Sequence, residues 1–143
     1  MSDLENEPAY KFFIEDLRSF QGSRDEWFFQ FGEGVERTKI NKFQIQAKIC
    51  QVNGLDNEIL LIYDDTGKAK ATRSSKVPGD FSWVKPDTYC SLVGSLLDNG
   101  KLPHINIIKL AKVDNMLLQQ MWPEEVKEIK DFLGKKIVPD ITT

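Results

Sequence analysis

One tripeptide in the sequence has the composition of a catalytic site. Asp65-Thr66-Gly67, within LIYDDTGKAKAT (residues 61–72), is the arrangement that carries the catalytic carboxylate in aspartic proteases. Those enzymes need two such loops so that two carboxylates share one proton, and a chain of 143 residues can supply both only as a homodimer. The tripeptide is therefore either half of a protease site or a turn between two strands.

The residues that flank the tripeptide favour the turn. Asp64 and Lys68 place charges where a protease loop packs against its symmetry mate, and burying an unpaired charge there costs several kcal/mol. Asp65 and Thr66 favour a type I turn, and Gly67 is expected to supply a positive φ. We predict a hairpin that joins the second and third strands of a sheet.

The rest of the sequence offers little other chemistry. Its single histidine, His104, lies in a predicted strand, and no nucleophile-base pair, phosphate loop or metal cluster is present. We therefore predict no enzymatic activity, no cofactor and no metal. Cys50 and Cys90 lie in apolar runs and are expected to be buried free thiols in a reducing compartment.

The charge and the termini restrict the function classes further. A net charge of −3 and a pI near 5.2 exclude a protein that holds DNA mainly by neutralising phosphates along its whole surface. The sequence has no apolar run of membrane-spanning length, and its acidic start, MSDLENEP, lacks a signal-peptide pattern. We expect a soluble intracellular protein.

Five stretches have the pattern of β-strands. The first, KFQIQAKICQV (42–52), has apolar residues at odd positions to 49 and then at positions 50 and 52, a phase shift that indicates a bulge. The other four are EILLIY (58–63), KAKAT (68–72), TYCSLVGSLL (88–97) and KLPHINIIKLAKV (101–113). DNG (98–100) predicts a type I′ hairpin between the last two.

Helices are predicted at both ends of these strands. Apolar residues spaced by three and four between Tyr10 and Phe20 predict a short amphipathic N-terminal helix. A C-terminal helix is predicted over 114–133, with Asp114 as its N-cap and a restart at Pro123.

Five strands between two helices predict an all-β fold with flanking helices, a five-stranded Greek-key barrel of the oligonucleotide/oligosaccharide-binding (OB) type. Residues 9–134 form the single domain in this interpretation, between a flexible acidic lead at 1–8 and a tail at 135–143. The helix that usually links the third and fourth strands is absent from the pattern, because residues 73–87 contain prolines and no helical period.

A basic patch on the third strand and the following loop is the candidate nucleic-acid site. OB barrels grip single strands through basic and aromatic side chains in this region. The candidates are Lys68, Lys70, Arg73, Lys76 and Trp83. The alternative, which we favour, is a solvated face beside loop aromatics that pack on the barrel or on a partner.

The C-terminal helix is the candidate protein interface. It carries more apolar area than a helix on a small barrel readily hides, and Trp122 is the expected anchor. The predicted interface residues on this helix are Leu117, Leu118, Met121, Trp122, Val126 and Ile129.

Five segments in order resemble the family of RecQ-mediated genome instability protein 2, the small barrel subunit of the complex of Bloom-type RecQ helicase and topoisomerase III. These segments are AYKFFIEDLRSF (9–20), FQIQAKICQV (43–52), YDDTGKAKA (63–71), VKPDTYCSLVGSL (84–96) and VDNMLLQQMWPEEV (113–126). The hairpin and the glycine-containing strand are similar to the middle subunit of replication protein A as well. The order of the five segments, together with the Met-Trp helix, is more specific to the family than any single segment.

The resemblance implies a nuclear, non-catalytic subunit that pairs with an OB domain of RecQ-mediated genome instability protein 1 and supports double Holliday junction dissolution. It also implies that Lys11 and Trp122 matter for the complex. The alternative function is that of a subunit like those of replication protein A, which binds single-stranded DNA.

Overall fold

A computed structural model of the protein describes residues 9–135. The predicted acidic lead, 1–8, and residues 136–143 of the predicted tail lie outside the described residues. The elements in chain order are β1 (Tyr10–Lys11), α1 (Ile14–Leu17), β2 (Gln21–Ser23), β3 (Glu26–Phe29), β4 (Thr38–Lys39), β5 (Phe43–Asn53), β6 (Ile59–Asp64), β7 (Gly67–Arg73), β8 (Tyr89–Asp98), β9 (His104–Lys112) and α2 (Met116–Leu133).

Five strands close into a barrel. β5, β6 and β7 form an antiparallel meander, β7 pairs in parallel with β9, β9 pairs antiparallel with β8, and β8 returns to pair with β5. The predicted five-stranded OB-type barrel is confirmed. Closure encloses the inward faces of the strands, whose side chains fill the interior of the barrel.

The first barrel strand behaves as its alternating pattern predicts. Its inward residues from Phe43 to Ile49 are almost completely buried. The register with β6 shifts between Ile49 and Gln51, which confirms the bulge. The bulge turns Cys50 outward, so the prediction that both cysteines are buried is wrong for Cys50 and holds for Cys90.

Of the two predicted turns, one is confirmed and the other is wrong. Asp64 pairs with Gly67 across a two-residue connection, which confirms the β6–β7 hairpin, although Gly67 does not have a positive φ. The β8–β9 connection is a five-residue loop, 99–103, rather than a type I′ turn, since neither Asn99 nor Gly100 has a positive φ. The side-chain amide of Asn99 instead donates to the carbonyl oxygen of Phe20 at 2.8 Å, which holds the loop against the N-terminal segment.

The predicted N-terminal helix is reduced to one turn. Tyr10 and Lys11 form β1 and pair in parallel with the start of β5, and only Ile14–Leu17 is helical. Aromatic residues of this segment, whose spacing predicted a helix, pack into an aromatic cluster instead. Phe12 is fully buried, with ring centroids 5.1 Å from Phe20 and 4.9 Å from Phe29.

Residues 21–39 form a second sheet of three strands in the order β2-β3-β4. Trp27 anchors this sheet to the barrel, because its indole N–H donates to the carbonyl oxygen of Leu96 at 2.9 Å.

The link between β7 and β8 contains turns and no helix over residues 74–88, as predicted. Phe81 and Trp83 are partly buried and pack against the barrel core. The Arg73 guanidinium lies 4.3 Å from the centroid of the Phe81 ring, a cation–π contact that holds the loop to the end of β7.

The C-terminal helix is continuous from Met116 to Leu133. Its N-cap is Asn115 and not Asp114, since the Asn115 side chain accepts hydrogen bonds from the backbone N–H groups of Leu117 and Leu118. Pro123 lies inside the helix and does not restart it. Trp122 before Pro123 and Val126 after it are both buried, so the helix is packed on both sides of the proline.

Candidate functional site

The middle of α2 and its first turns differ in exposure. Trp122 and Val126 are 2% and 0% exposed, so the middle of the helix is packed onto the rest of the chain. The first turns expose a row of large apolar side chains, Met116, Leu117, Leu118 and Met121, and we call these four residues the exposed row. Large apolar side chains clustered on a surface indicate a place where another molecule binds.

Two ion pairs attach α2 to the N-terminal segment. The Lys11 Nζ atom lies 3.2 Å from Oε2 of Glu125 and 5.5 Å from the centroid of the Trp122 ring. The Lys130 Nζ atom lies 2.7 Å from Oδ1 of Asp16, whose side chain is only 9% exposed. At the end of the helix, Gly134 meets Gly32 so closely that a Cβ atom on either glycine would overlap the other segment's backbone.

The structure thus divides the residues predicted for partner binding into two groups. Leu117, Leu118 and Met121 are exposed and accessible. Lys11, Trp122 and Val126 are already engaged within the chain, and Ile129 is half-buried. The sequence pattern does not separate the groups, because the same apolar residue types pack a helix onto its own chain and form an interface with another protein.

α2 and the barrel flank a cleft of about 860 Å³, which we call the α2 cleft and which none of the exposed row lines. Its walls come from the start of α1, from β5, from the β6–β7 hairpin, from the start of β8 and the residues before it, from the end of β9 and from α2. The lining residues are Phe13, Glu15, Gln46, Lys48, Tyr63, Asp64, Asp65, Thr66, Asp87, Thr88, Tyr89, Lys112, Val113, Asp114, Gln119, Trp122, Pro123 and Lys127.

The α2 cleft is acidic. Five of its lining residues are carboxylates and three are lysines, an excess of two negative charges. Burial and the nearby charges of Asp64 and Asp65 raise the pKa of the Tyr89 phenol to about 12, which reflects the same negative potential. Sequence reasoning missed this site, although one signal was present: several of the carboxylates stand directly before or after predicted strands.

Two polar atoms at the α2 cleft are buried and unpaired. Within residues 9–135, the buried side-chain N and O atoms that have no hydrogen-bond partner are Oε1 of Gln46 and Nε1 of Trp122. Gln46 is only 7% exposed, although it alternates along β5 with the inward apolar residues. A buried unpaired donor or acceptor costs about 1–3 kcal/mol.

The hairpin that contains the tripeptide uses Asp64, not Asp65, as its structural carboxylate. Oδ1 of Asp64 accepts hydrogen bonds from the backbone N–H groups of Thr66 and Gly67 and from the Thr66 hydroxyl. Oδ2 accepts the backbone N–H of Ile14 at 2.8 Å. Asp65 is exposed at the edge of the α2 cleft. The tripeptide is therefore a turn fixed by the residue before it.

The residues predicted for nucleic-acid binding are only partly available. Lys68 and Lys76 are exposed and Lys70 is half-buried, but Arg73 stacks on Phe81 and donates to the carbonyl oxygen of Asp56 at 2.7 Å. Trp83 packs against the core, so its ring is partly covered.

Lys70 on β7 pairs with His104 on β9. His104 lies next to it, with Nε2 2.9 Å from the Thr72 hydroxyl oxygen. The pKa of His104 is lowered, first by burial and then by the charges of Lys70 and Arg24.

Residues 9–135 contain no group of three or more His, Cys, Asp or Glu side chains arranged to hold a metal ion. No helix in the same range is both long and apolar enough to cross a membrane.

The sequence matches the family of RecQ-mediated genome instability protein 2 over residues 8–130. The chain belongs to this family. The match covers the barrel and α2 as far as Lys130, and it confirms the resemblance seen in the sequence. A comparison with curated proteins found no match for the chain.

Solved structures similar to this member of the RecQ-mediated genome instability protein 2 family are OB-fold proteins. A chain of a replication protein A heterotrimer bound to single-stranded DNA is 13% identical, with a TM-score of 0.72 over 90% of this chain and 100% of that chain. A chain of the S. pombe Stn1–Ten1 complex is 14% identical, with a TM-score of 0.71 over 89% of this chain and 94% of that chain. At these identities the likeness shows the fold.

Proposed function

We propose that this protein is a non-catalytic scaffold subunit that pairs through α2 with the OB domain of a larger partner similar to RecQ-mediated genome instability protein 1. In this role it belongs to a nuclear complex of RecQ helicase and topoisomerase III and supports double Holliday junction dissolution. The observation that carries the proposal is the exposed row on α2, four large apolar side chains on a helix that is anchored to the rest of the chain by the buried Trp122 and Val126.

Two further observations support pairing over catalysis. The tripeptide that resembles a protease site forms a structural hairpin with Asp64 engaged by backbone N–H groups. The family match and the similarity to a chain of the Stn1–Ten1 complex both support an OB-fold subunit that assembles with another subunit.

The test replaces Leu117 and Leu118 by aspartate in one variant. Both positions lie in the first turn of α2, where an acidic side chain is favourable to the helix dipole, so the helix is expected to remain formed. Burying two carboxylates in an apolar interface should weaken pairing at least about 100-fold. The measurement is co-purification and titration calorimetry with the larger subunit.

Leu55→Asp is the matched control, because Leu55 is fully exposed on the loop between β5 and β6, away from α2. It should pair like the wild type. Full-affinity pairing by the Leu117→Asp/Leu118→Asp variant would refute the proposed interface.

A second function, binding of single-stranded DNA, is favoured by one observation, the exposed Lys68 and half-buried Lys70 on β7, where Lys70 pairs with His104 of β9. If it operates, fluorescence anisotropy with a labelled oligothymidine should show salt-dependent binding that Lys70→Glu weakens. Absence of binding at low salt would eliminate it.

A further inference from the structure

The exposed face of α2 continues beyond the exposed row. Five side chains, at spacings of four, three, four and four residues, lie within about 80° of one another around the helix axis, and all five are exposed. They are Leu117, Met121, Glu124, Glu128 and Phe132, and we call them the α2 stripe. The α2 stripe runs almost the whole length of the helix, about 22 Å. Phe132, at its far end, is 73% exposed, more than any member of the exposed row.

The α2 stripe is not the side by which the helix packs onto its own chain. The packed side is formed by Trp122 and Val126, which are buried, and by Ile129, which is half-buried. At about 100° per residue, this side lies roughly 130° around the axis from the α2 stripe. Contacts within the chain therefore leave the stripe uncovered.

The centre of the α2 stripe carries charges that do not benefit the helix itself. Glu124 and Glu128 are like charges at positions i and i+4, an arrangement that destabilises a helix. Asp131, beside the stripe, lies in the last turn, where the helix dipole disfavours a carboxylate. The first turn, where the dipole favours one, contains no acidic residue. The stability of the helix does not account for carboxylates in these positions.

The two lysines of α2 do not neutralise these carboxylates. Lys130 is engaged in the ion pair with α1, with its Nζ atom 2.7 Å from the carboxylate there. Lys127 lines the α2 cleft, on another side of the helix. Within residues 9–135, neither Glu124 nor Glu128 forms an ion pair. The α2 stripe therefore presents an unbalanced negative charge between two apolar ends.

We infer that the α2 stripe docks onto a surface of the larger subunit that is apolar at two places and basic between them. Leu117 and Met121 pack on one apolar place, and Phe132 fills the other, about 16 Å further along the helix. Lysine or arginine side chains of the partner lie opposite Glu124 and Glu128. The inference rests on the proposed pairing, and it extends that interface from the first turns of α2 to the last.

The charge of the α2 stripe decides between the possible occupants. Two copies of this chain that met through their stripes would bring their acidic centres together in either relative direction of the helices, because Glu124 lies at the middle of the stripe. A nucleic acid would place its phosphates against the same carboxylates. A protein with cations at this place gains attraction where the other two occupants meet repulsion.

The charge requirement is tested with Glu124→Gln and Glu128→Gln combined. Glutamine keeps the length of the side chain and nearly the same helix propensity, so far-UV circular dichroism should be unchanged. In titration calorimetry with the larger subunit at low salt, we expect pairing about tenfold weaker than that of the wild type. The difference should shrink as sodium chloride is added, because salt screens the attraction that the variant has lost. A loss of pairing caused by an altered fold would not shrink in this way.

Charge reversal sharpens the same test. Glu124→Lys combined with Glu128→Lys should weaken pairing about 100-fold at low salt, because cations then oppose cations. Affinity should fall in the order wild type, glutamine variant, lysine variant. A wholly apolar contact predicts no such order.

The matched control for net charge is Asp25→Asn combined with Glu26→Gln. It removes two exposed carboxylates at the turn between β2 and β3. Arg24 in the same turn acts on the charge of His104 at the start of β9, whereas α2 follows the end of that strand. This variant should pair like the wild type at every salt concentration.

The far end of the α2 stripe is tested with Phe132→Ala. Because Phe132 is mostly exposed, its removal should leave the free energy of unfolding nearly unchanged and weaken pairing about tenfold. Leu55→Ala, which removes an exposed apolar side chain from the loop between β5 and β6, is the matched control and should pair like the wild type.

Four results would overturn the inference: a glutamine variant that pairs with wild-type affinity at low salt; a lysine variant that pairs no more weakly than the glutamine variant; undiminished pairing of Phe132→Ala; or a wild-type homodimer in analytical ultracentrifugation that Phe132→Ala dissociates. The first three leave the proposed function intact, because the Leu117→Asp/Leu118→Asp variant tests it separately. A wild-type protein that does not pair with the larger subunit refutes the proposed function and the inference with it.

Discussion

The carboxylate of Asp64 accepts a hydrogen bond from the backbone N–H of Ile14, 50 residues earlier in the chain, at 2.8 Å. The same side chain holds the β6–β7 turn through Thr66 and Gly67. The Thr66 hydroxyl oxygen in turn accepts the backbone N–H of Glu15 at 3.0 Å. One side chain thus joins the barrel hairpin to α1, and Asp16 in α1 joins this turn to α2 through Lys130.

Asp64→Ala should lower the free energy of unfolding by about 2–4 kcal/mol, because four hydrogen bonds to a carboxylate are lost and the backbone N–H of Ile14 is left without its partner. Asp65→Ala should change it by less than about 0.5 kcal/mol, since Asp65 is exposed. Urea unfolding of the two variants measures the difference. Equal effects would show that the hairpin does not depend on Asp64.

Trp122→Ala should detach α2 and leave the barrel folded. Trp122 is 2% exposed but does not belong to the core cluster of the barrel, so the loss of about 3 kcal/mol falls on the attachment of the helix. Hydrogen exchange should then become fast in α2 and remain slow in β5. Pairing with the larger subunit should be lost as well, since a detached helix no longer presents the exposed row in place. Fast exchange in β5 would contradict this separation.

The two cysteines should react very differently with a maleimide. Cys50 is exposed at the bulge of β5, whereas burial raises the pKa of the Cys90 thiol to about 12 and keeps it protonated and inaccessible. Mass spectrometry of the native protein should find one label, and Cys50→Ser should find none. Rapid labelling of Cys90 without denaturant would contradict the buried position of this residue.

His104 should titrate below its ordinary pKa of about 6.5, because burial and the charges of Lys70 and Arg24 disfavour its protonated form. Since the unfolded chain binds this proton more readily, the contribution of His104 to stability is complete above about pH 6.5 and declines as the pH falls below that value. The chain has one histidine, so an NMR titration assigns the pKa directly.

Lys70→Gln should raise the pKa of His104, and Lys76→Gln, which removes the same charge from the following loop, should leave it nearly unchanged. An unaltered pKa in the Lys70→Gln protein would show that the two side chains do not interact.

The barrel strands were predictable from the sequence because the alternation of apolar and polar residues that marks each strand lies within a few consecutive residues. Ala69 and Ala71 alternate with Lys68 and Lys70, and this period of two is the same whether the strand is seen alone or in the barrel. The N-terminal helix was predicted wrongly because the apolar spacing from Tyr10 to Phe20 also suits residues that converge on an aromatic cluster.

The α2 cleft was not predictable in the same way. Gln46, Asp87 and Trp122 belong to three separate elements, and only the pairing of β5 with β8 and the docking of α2 bring them to one space. No local pattern encodes such a meeting. The exposed row was within the predicted interface helix, but its separation from Trp122 and Val126 depends on which face docks.

The contact of Gly32 with Gly134 makes position 32 intolerant of substitution. A Cβ atom on Gly32 would lie 2.4 Å from the carbonyl oxygen of Gly134, so any other residue at position 32 must push the end of α2 away from the barrel. Such an allele changes no side chain of the exposed row and none of the α2 cleft. If such an allele loses the complex, the cause is a displaced α2 and not a change in the side chains of the interface.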